Sequence, residues 1–314
     1  MDNRKRRWAG YKALGNGYYH LCTDGWKDGR LFNTDSQFAF GMTSVAIASV
    51  RCGVRVKAFE LMRNHGHFIL VGTGEQCCKF FFYIKRRMSW KLVRDGDPPL
   101  PEYYDFKLIP IENVQQMRNN LIYVARNPYE KGFAAPGCYP WGSGYLYYSP
   151  LAQFITGPKV RDLSCREIRR QLHCEKNLLP ENWIVHPALG VLPVSFVDTR
   201  KVYSLFPSPK EWNTAVVKDY ESFAMVASAV GEELEFSIAE ARIIVHGLTQ
   251  RLFQGKALRE LSKEEKYRMA SVLSGTYSLS PGIIAQAVEL PEAIVIQVLR
   301  SKEYGLRPRY NNDA

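Results

Sequence analysis

Two apolar-rich runs, residues 56–61 (VKAFEL) and 68–71 (FILV), stand six residues apart and read as buried strands. The six residues between them are Met62-Arg63-Asn64-His65-Gly66-His67. Side chains alternate faces along a strand, so His65 and His67 point the same way with Cα atoms about 6–7 Å apart, close enough to share one ion. An HxH pair is also what two ordinary strand histidines look like. Around this segment the pattern predicts a strand over 18–23, a helix over 36–49, strands over 54–61 and 68–71, and a helix over 75–94. A proline-rich loop (98–101) and a further helix follow. Such an alternation predicts an α+β layer, an antiparallel sheet against helices.

The last of these helices carries the second candidate feature. Val114, Met117, Leu121 and Val124 fall within one narrow arc of the helical wheel and read as its buried stripe. At roughly 100° per residue Tyr123 lies opposite, in a sector shared with Gln116, Asn120 and Asn127. That position predicts a phenol shown to solvent or to a site. Asn127 follows Tyr123 by one turn, which places its amide oxygen on the same side to bind an ion beside the phenol. Pro128 is expected to end the helix.

The order Leu61-Met62-Arg63-Asn64-His65-Gly66-His67, then Tyr123-Val124-Ala125-Arg126-Asn127-Pro128 with Gly132, then Tyr139-Pro140-Trp141, closely resembles the single-tyrosine HUH transposases. Among these it is most similar to the REP-associated tyrosine transposases, with their strand like MPNHVH, helix like YIxxNPxxxG and segment like YPWSS. The resemblance spans roughly residues 15–150. It implies a ferredoxin-like or RRM-like HUH domain in which His65 and His67 hold a divalent cation and Tyr123 is the nucleophile. Asn127 takes the place of the family's helix-borne polar ligand. Gly66 replaces the usual hydrophobic residue between the histidines, and Arg63 replaces the usual proline. Glycine weakens strand interiors, whereas Arg63 offers a phosphate contact.

The implied chemistry is metal-dependent nicking and rejoining of single-stranded or hairpin DNA. A phosphodiester repels nucleophiles until a cation neutralises its nonbridging oxygens, and a phenol with a pKa of about 10 attacks poorly unless its phenolate is favoured. Attack by Tyr123 leaves a 5′-phosphotyrosine and a free 3′-hydroxyl, and the reverse reaction rejoins DNA without ATP. Two imidazoles, an amide oxygen and phosphate oxygens suit Mg²⁺ or Mn²⁺ better than a closed zinc site. His20, on the expected first strand, is either a further site residue or a strand histidine satisfied by its neighbours.

Charge agrees with a nucleic-acid partner: the 314-residue chain carries a formal +11. Residues 1–150 hold 21 Lys and Arg against 12 Asp and Glu, a balance of +9, so the candidate catalytic part carries the basic surface. Arg4, Lys5, Arg6 and Arg7 form a basic N-terminal arm, and Lys85, Arg86 and Arg87 lie on an expected helix with Lys79, Lys91 and Arg94. These are candidate phosphate contacts. Tyr139 and Trp141 either stack on unpaired bases or dock their segment on the core.

An apolar content of 46% predicts two domains with real cores. The expected division is a catalytic domain over 1–150, a wrapping linker over 151–215 with a helix over 165–172, and a helical domain over 216–314. Its end reads as a helix-turn-helix, with helices over 262–273, 280–287 and 291–299, Ser280 as N-cap and Pro281 at N1. Gln297 and Arg300 are its candidate DNA contacts. A structural or dimerising three-helix bundle fits the same pattern. No run is long enough to cross a membrane, and the start lacks a secretory h-region, so a cytoplasmic location is the default. Seven cysteines without CxxC spacing read as free thiols in a reducing compartment. The expected assembly is a monomer or a homodimer. The competing function is a domesticated, non-catalytic DNA-binding regulator that keeps the fold.

Overall fold

The computed structural model describes residues 3–25, 30–232 and 236–301. The chain divides into two units, Met1–Val217 and Lys218–Ala314. The first contains helix α1 (Asn3–Lys12), strand β1 (Asn16–Thr23), helix α2 (Asp35–Cys52), strands β2 (Arg55–Leu61) and β3 (Gly66–Thr73), and helix α3 (Gly74–Asp95). Strand β4 (Phe106–Ile111) and helix α4 (Val114–Glu130) follow. The four strands form one antiparallel sheet in the order β2-β3-β1-β4. The α+β expectation holds.

Local chemistry sets the helix ends. Thr34 caps α2 by accepting from Gln37 N, and Thr73 and Gln76 form a reciprocal capping box on α3. Gly53 and Gly96 close the two helices in the left-handed conformation that glycine adopts without cost. On one face of the sheet Phe68 packs against Phe80 of α3 and pairs across strands with Phe59. Register decides the other face. His20, Cys22, Glu60, His67 and Ile69 alternate with the core residues and turn toward α4, because Cys22 pairs with His67, His20 with Ile69, and Glu60 with His67.

Three elements differ from the sequence expectation. Strand β4 has no counterpart in it: Pro110 disguises a strand, yet β4 is an edge strand, where proline is tolerated. The basic arm is a helix, α1, docked by its own charges: Arg7 and the Trp8 indole both donate to the buried carboxylate of Asp105. Pro128 does not end α4 but lies inside its last turn, before Glu130.

Residues 151–217 belong to the first unit. Helix α5 (Cys165–Leu172) and the short strands β5 (Val185–His186) and β6 (Gly190–Val191) bury Ile168, Leu172, Trp183, Val185 and Val191 against Ala46 and Ile47 of α2. Val197 bridges to Val56, and Lys57 pairs with Asp198 at 2.7 Å. Helices α6 (Arg200–Leu205) and α7 (Pro209–Lys218) complete this stretch. All seven cysteines are free thiols.

The second unit holds α8 (Tyr220–Val230), α9 (Ile238–Leu252), α10 (Lys263–Tyr277), α11 (Pro281–Val288) and α12 (Glu292–Arg300). They share one core that includes Ile244, Leu248, Met269, Leu273, Ile284, Val288 and Val295. Glu289, in the left-handed conformation, turns the chain between α11 and α12, whose axes differ by 116°. Pro281 opens α11 as expected. Ser280 holds the cap position, but its side chain makes no cap hydrogen bond. Among the described residues no single helix is long and apolar enough to cross a membrane.

Candidate functional site

The histidine face of the sheet and the polar sector of α4 meet. His65 sits in the β2–β3 turn and His67 at the start of β3, with ring centroids 4.8 Å apart at 83°. Tyr123 lies against His67 at 5.1 Å and 88°, and against His20 at 5.8 Å. The Asn127 amide nitrogen is 3.3 Å from His67 Nε2. Two segments distant in sequence thus bring His65, His67, Tyr123 and Asn127 together, with His20 from β1 as a fifth member.

Of the two placements expected for Tyr123, solvent or a site, the solvent one is excluded. Its side chain is 0 % exposed, as are His67 and Asn127, whereas Val114, assigned to the buried stripe, is 60 % exposed. The helical wheel separates polar from apolar sectors, but the polar sector here faces a polar sheet face rather than water. Residues 205–217 cover α4 elsewhere: Arg118 donates to Leu205 O and Arg126 to the carbonyls of Val216 and Val217.

Gly66 also acquires a reason. A Cβ there would sit 3.1 Å from the Phe68 ring, so a larger side chain at 66 would crowd Phe68. The Gly66 N–H donates to Thr23 Oγ1 at 2.8 Å, tying the turn to β1.

Glu60 is a buried residue of this face that the sequence reading did not single out. Burial pushes its carboxyl well above the usual carboxylate range, against the opposing effects of the Gly144 N–H and of His67. Its Oε1 accepts from Gly144 N at 3.0 Å. Only glycine fits at 142, where a Cβ would meet Glu60 Oε2 at 1.8 Å. Alternation along β2 carries the signal for Glu60, but its pairing with His67 depends on a register that the sequence does not display.

The segment around Gly142 is zipped onto the edge of β2. Leu61 N donates to Trp141 O, Ser143 N to Phe59 O, and the Tyr139 and Tyr147 hydroxyls to Leu61 O and Lys57 O. Trp141 stacks on Phe38 with centroids 4.9 Å apart. Tyr139 and Trp141 are therefore buried docking residues, and the reading of them as base-stacking groups is corrected.

The candidate phosphate contacts separate into two groups. Arg4 pairs with Glu102, Arg7 with Asp105, and Lys85 donates to the carbonyls of Glu102 and Tyr104. Arg87 donates to Ser44 Oγ and Leu172 O and lies over the Phe40 ring. These four hold the fold together. Lys5, Arg6, Arg63, Arg86, Gln297 and Arg300 are exposed. Arg63 covers the Phe133 ring, and Arg86 lies over Tyr83 at the rim of a cavity of about 320 Å³ that also presents Lys12, Arg51 and Lys79.

The donor set fits a divalent cation. Asn127 Oδ1 is buried without a hydrogen-bond partner among the described residues, a state that costs roughly 1–3 kcal/mol unless a ligand supplies the contact. His65 Nδ1 faces Asn64 Oδ1 at 2.7 Å, which directs the ring's Nε2 lone pair away from that contact. Two imidazole nitrogens and one amide oxygen leave positions for water or phosphate oxygens, as Mg²⁺ and Mn²⁺ require.

No family model matches the chain, and no curated protein matches it. Among solved structures, a REP-associated tyrosine transposase bound to a REP hairpin is similar, with a TM-score of 0.37 and 14% identity over 42% of this chain and 79% of that one. Similarity this slight decides nothing about function.

Proposed function

We propose that this chain is a metal-dependent DNA transesterase of the single-tyrosine HUH type, which nicks and rejoins single-stranded or hairpin DNA. The observation that carries this reading is the meeting of Tyr123 with His65, His67 and Asn127 on one face of the sheet. In this reading the sheet is the ferredoxin-like HUH scaffold and α10–α12 are a helix-turn-helix, the 116° turn before α12 leaving Gln297 and Arg300 exposed for DNA.

His65, His67 and Asn127 would hold Mg²⁺ or Mn²⁺. When bound, the cation neutralises the nonbridging oxygens of the scissile phosphate and favours the phenolate. Tyr123 Oη bonds to phosphorus as the P–O3′ bond breaks, and the departing oxygen takes up a proton to become a 3′-hydroxyl. The ester kept on Tyr123 is a 5′-phosphotyrosine, which a 3′-hydroxyl reopens in the joining direction. In this reading Arg63, exposed two residues before His65, meets the flanking backbone.

The reading predicts Mn²⁺-dependent nicking of a hairpin oligonucleotide by the wild type and its loss in His65→Ala. Nicking by His65→Ala at the wild-type rate would refute it. One observation favours the second reading, a DNA-binding regulator without catalysis: the phenol is fully buried. DNA binding without nicking under any divalent cation would select that reading.

A further inference from the structure

The hydrogen bonds behind His67 form a directed chain. Asn120 Nδ2 donates to Gln116 O at 2.8 Å, which fixes the amide so that Oδ1 faces His20. Asn120 Oδ1 lies 2.8 Å from His20 Nδ1. An amide oxygen only accepts, so His20 Nδ1 carries the proton. In a neutral imidazole the other nitrogen is then an acceptor, and His20 Nε2 lies 3.2 Å from His67 Nδ1. His67 Nδ1 must donate, which leaves the lone pair of His67 on Nε2. That atom faces Asn127 at 3.3 Å, on the side shared with Tyr123.

We propose that His20 and Asn120 are positioning residues that hold His67 in its Nδ1–H tautomer and so aim its Nε2 lone pair into the site beside Tyr123 and Asn127. The tautomer stands on the hydrogen bonds alone; its use in holding a cation rests on the reading given under Proposed function. The arrangement also gives Asn127 two states. Its Nδ2–H donates to His67 Nε2, and a half-turn of the amide would exchange that donor for Oδ1. Partners behind a ligating histidine orient its ring and raise its basicity, and losing one commonly weakens metal binding by about 10- to 100-fold.

The mechanism does not otherwise use either residue. His20 lies against His67 and Tyr123, and Asn120 lies behind His20. Substituting them leaves the nucleophile and every candidate ligand in the chain.

The test uses the full chain labelled with ¹⁵N-histidine. Two-bond ring correlations distinguish Nδ1–H from Nε2–H imidazoles, and Mn²⁺ affinity is read separately from the free-ion electron paramagnetic resonance signal. Wild type is expected to show His67 as Nδ1–H. Asn120→Leu removes the acceptor that polarises the chain, so the Nε2–H form of His67 should grow and Mn²⁺ should bind about tenfold or more weakly. Asn120→Gln keeps both the amide acceptor and the amide donor and should retain both wild-type properties, which separates positioning from a general loss of packing. His67 found as Nε2–H in the wild type would overturn the proposal, whatever the variants do. So would an unchanged His67 tautomer in a folded Asn120→Leu. A wild type with the Nδ1–H tautomer and no Mn²⁺ binding supports the relay and removes the cation reading instead.

Discussion

Tyr123 and His67 meet edge to face, with ring centroids 5.1 Å apart at 88°, although 55 residues separate them in the chain. The contact exists because β3 starts at Gly66 and α4 lays its polar sector across the same sheet face. It joins the candidate nucleophile to a candidate ligand without an intervening side chain.

Gly66 is the first point at which this arrangement can be stressed. A valine there would bring its Cβ to within 3.1 Å of the Phe68 ring. Crowding of this kind typically costs about 1–3 kcal/mol. Gly66→Val should therefore lower the denaturant midpoint, and Gly66→Val with Phe68→Leu should recover part of the loss. Equal midpoints for wild type and Gly66→Val would show that Phe68 does not occupy this space.

Neighbouring arginines on α3 should behave differently. Arg86 is exposed beside a basic cavity, whereas Arg87 holds Ser44 and the Leu172 carbonyl. Arg86→Ala should weaken DNA binding and reduce the slope of log affinity against log salt by about 1, as expected for one lost phosphate contact. Arg87→Ala should instead lower thermal stability and leave that slope unchanged. Titrations of both variants at several salt concentrations decide the assignment.

Asp198 links residues 151–217 to the sheet in a pH-dependent way. Hydrogen bonds from Arg200 and from Lys57 hold its carboxyl well below the usual carboxylate range. The folded value lies below the unfolded one, so this contribution is complete above the ordinary carboxylate value and is lost as pH falls through the folded value. Asp198→Asn should lower stability at neutral pH and narrow the gap from wild type in strong acid. Unfolding curves at neutral and acidic pH provide the check, and a gap that stays constant with pH would contradict it.

Much of the first unit is legible in the sequence because its signals are local. Alternation and helical spacing indicate β1, α2, β2, β3, α3 and α4, while Pro110 masks β4 and the charge run of 4–7 conceals a docked helix. The meeting of Tyr123, His65, His67 and Asn127 is readable through the order of their motifs. The environment of that meeting is not. Whether the polar sector of α4 faces water or a polar sheet depends on packing, and Glu60 and His20 enter through strand register. Trp141 and Tyr139 look the same in sequence whether they stack on bases or on Phe38 and β2.

The most direct measurement of the central claim is covalent capture. Wild type and Tyr123→Phe are incubated with 3′-end-labelled hairpin oligonucleotides and Mn²⁺, then resolved on a denaturing gel. The account predicts a labelled protein–DNA band from wild type and none from Tyr123→Phe, with noncovalent binding retained by the variant. A labelled band of wild-type intensity from Tyr123→Phe would contradict it.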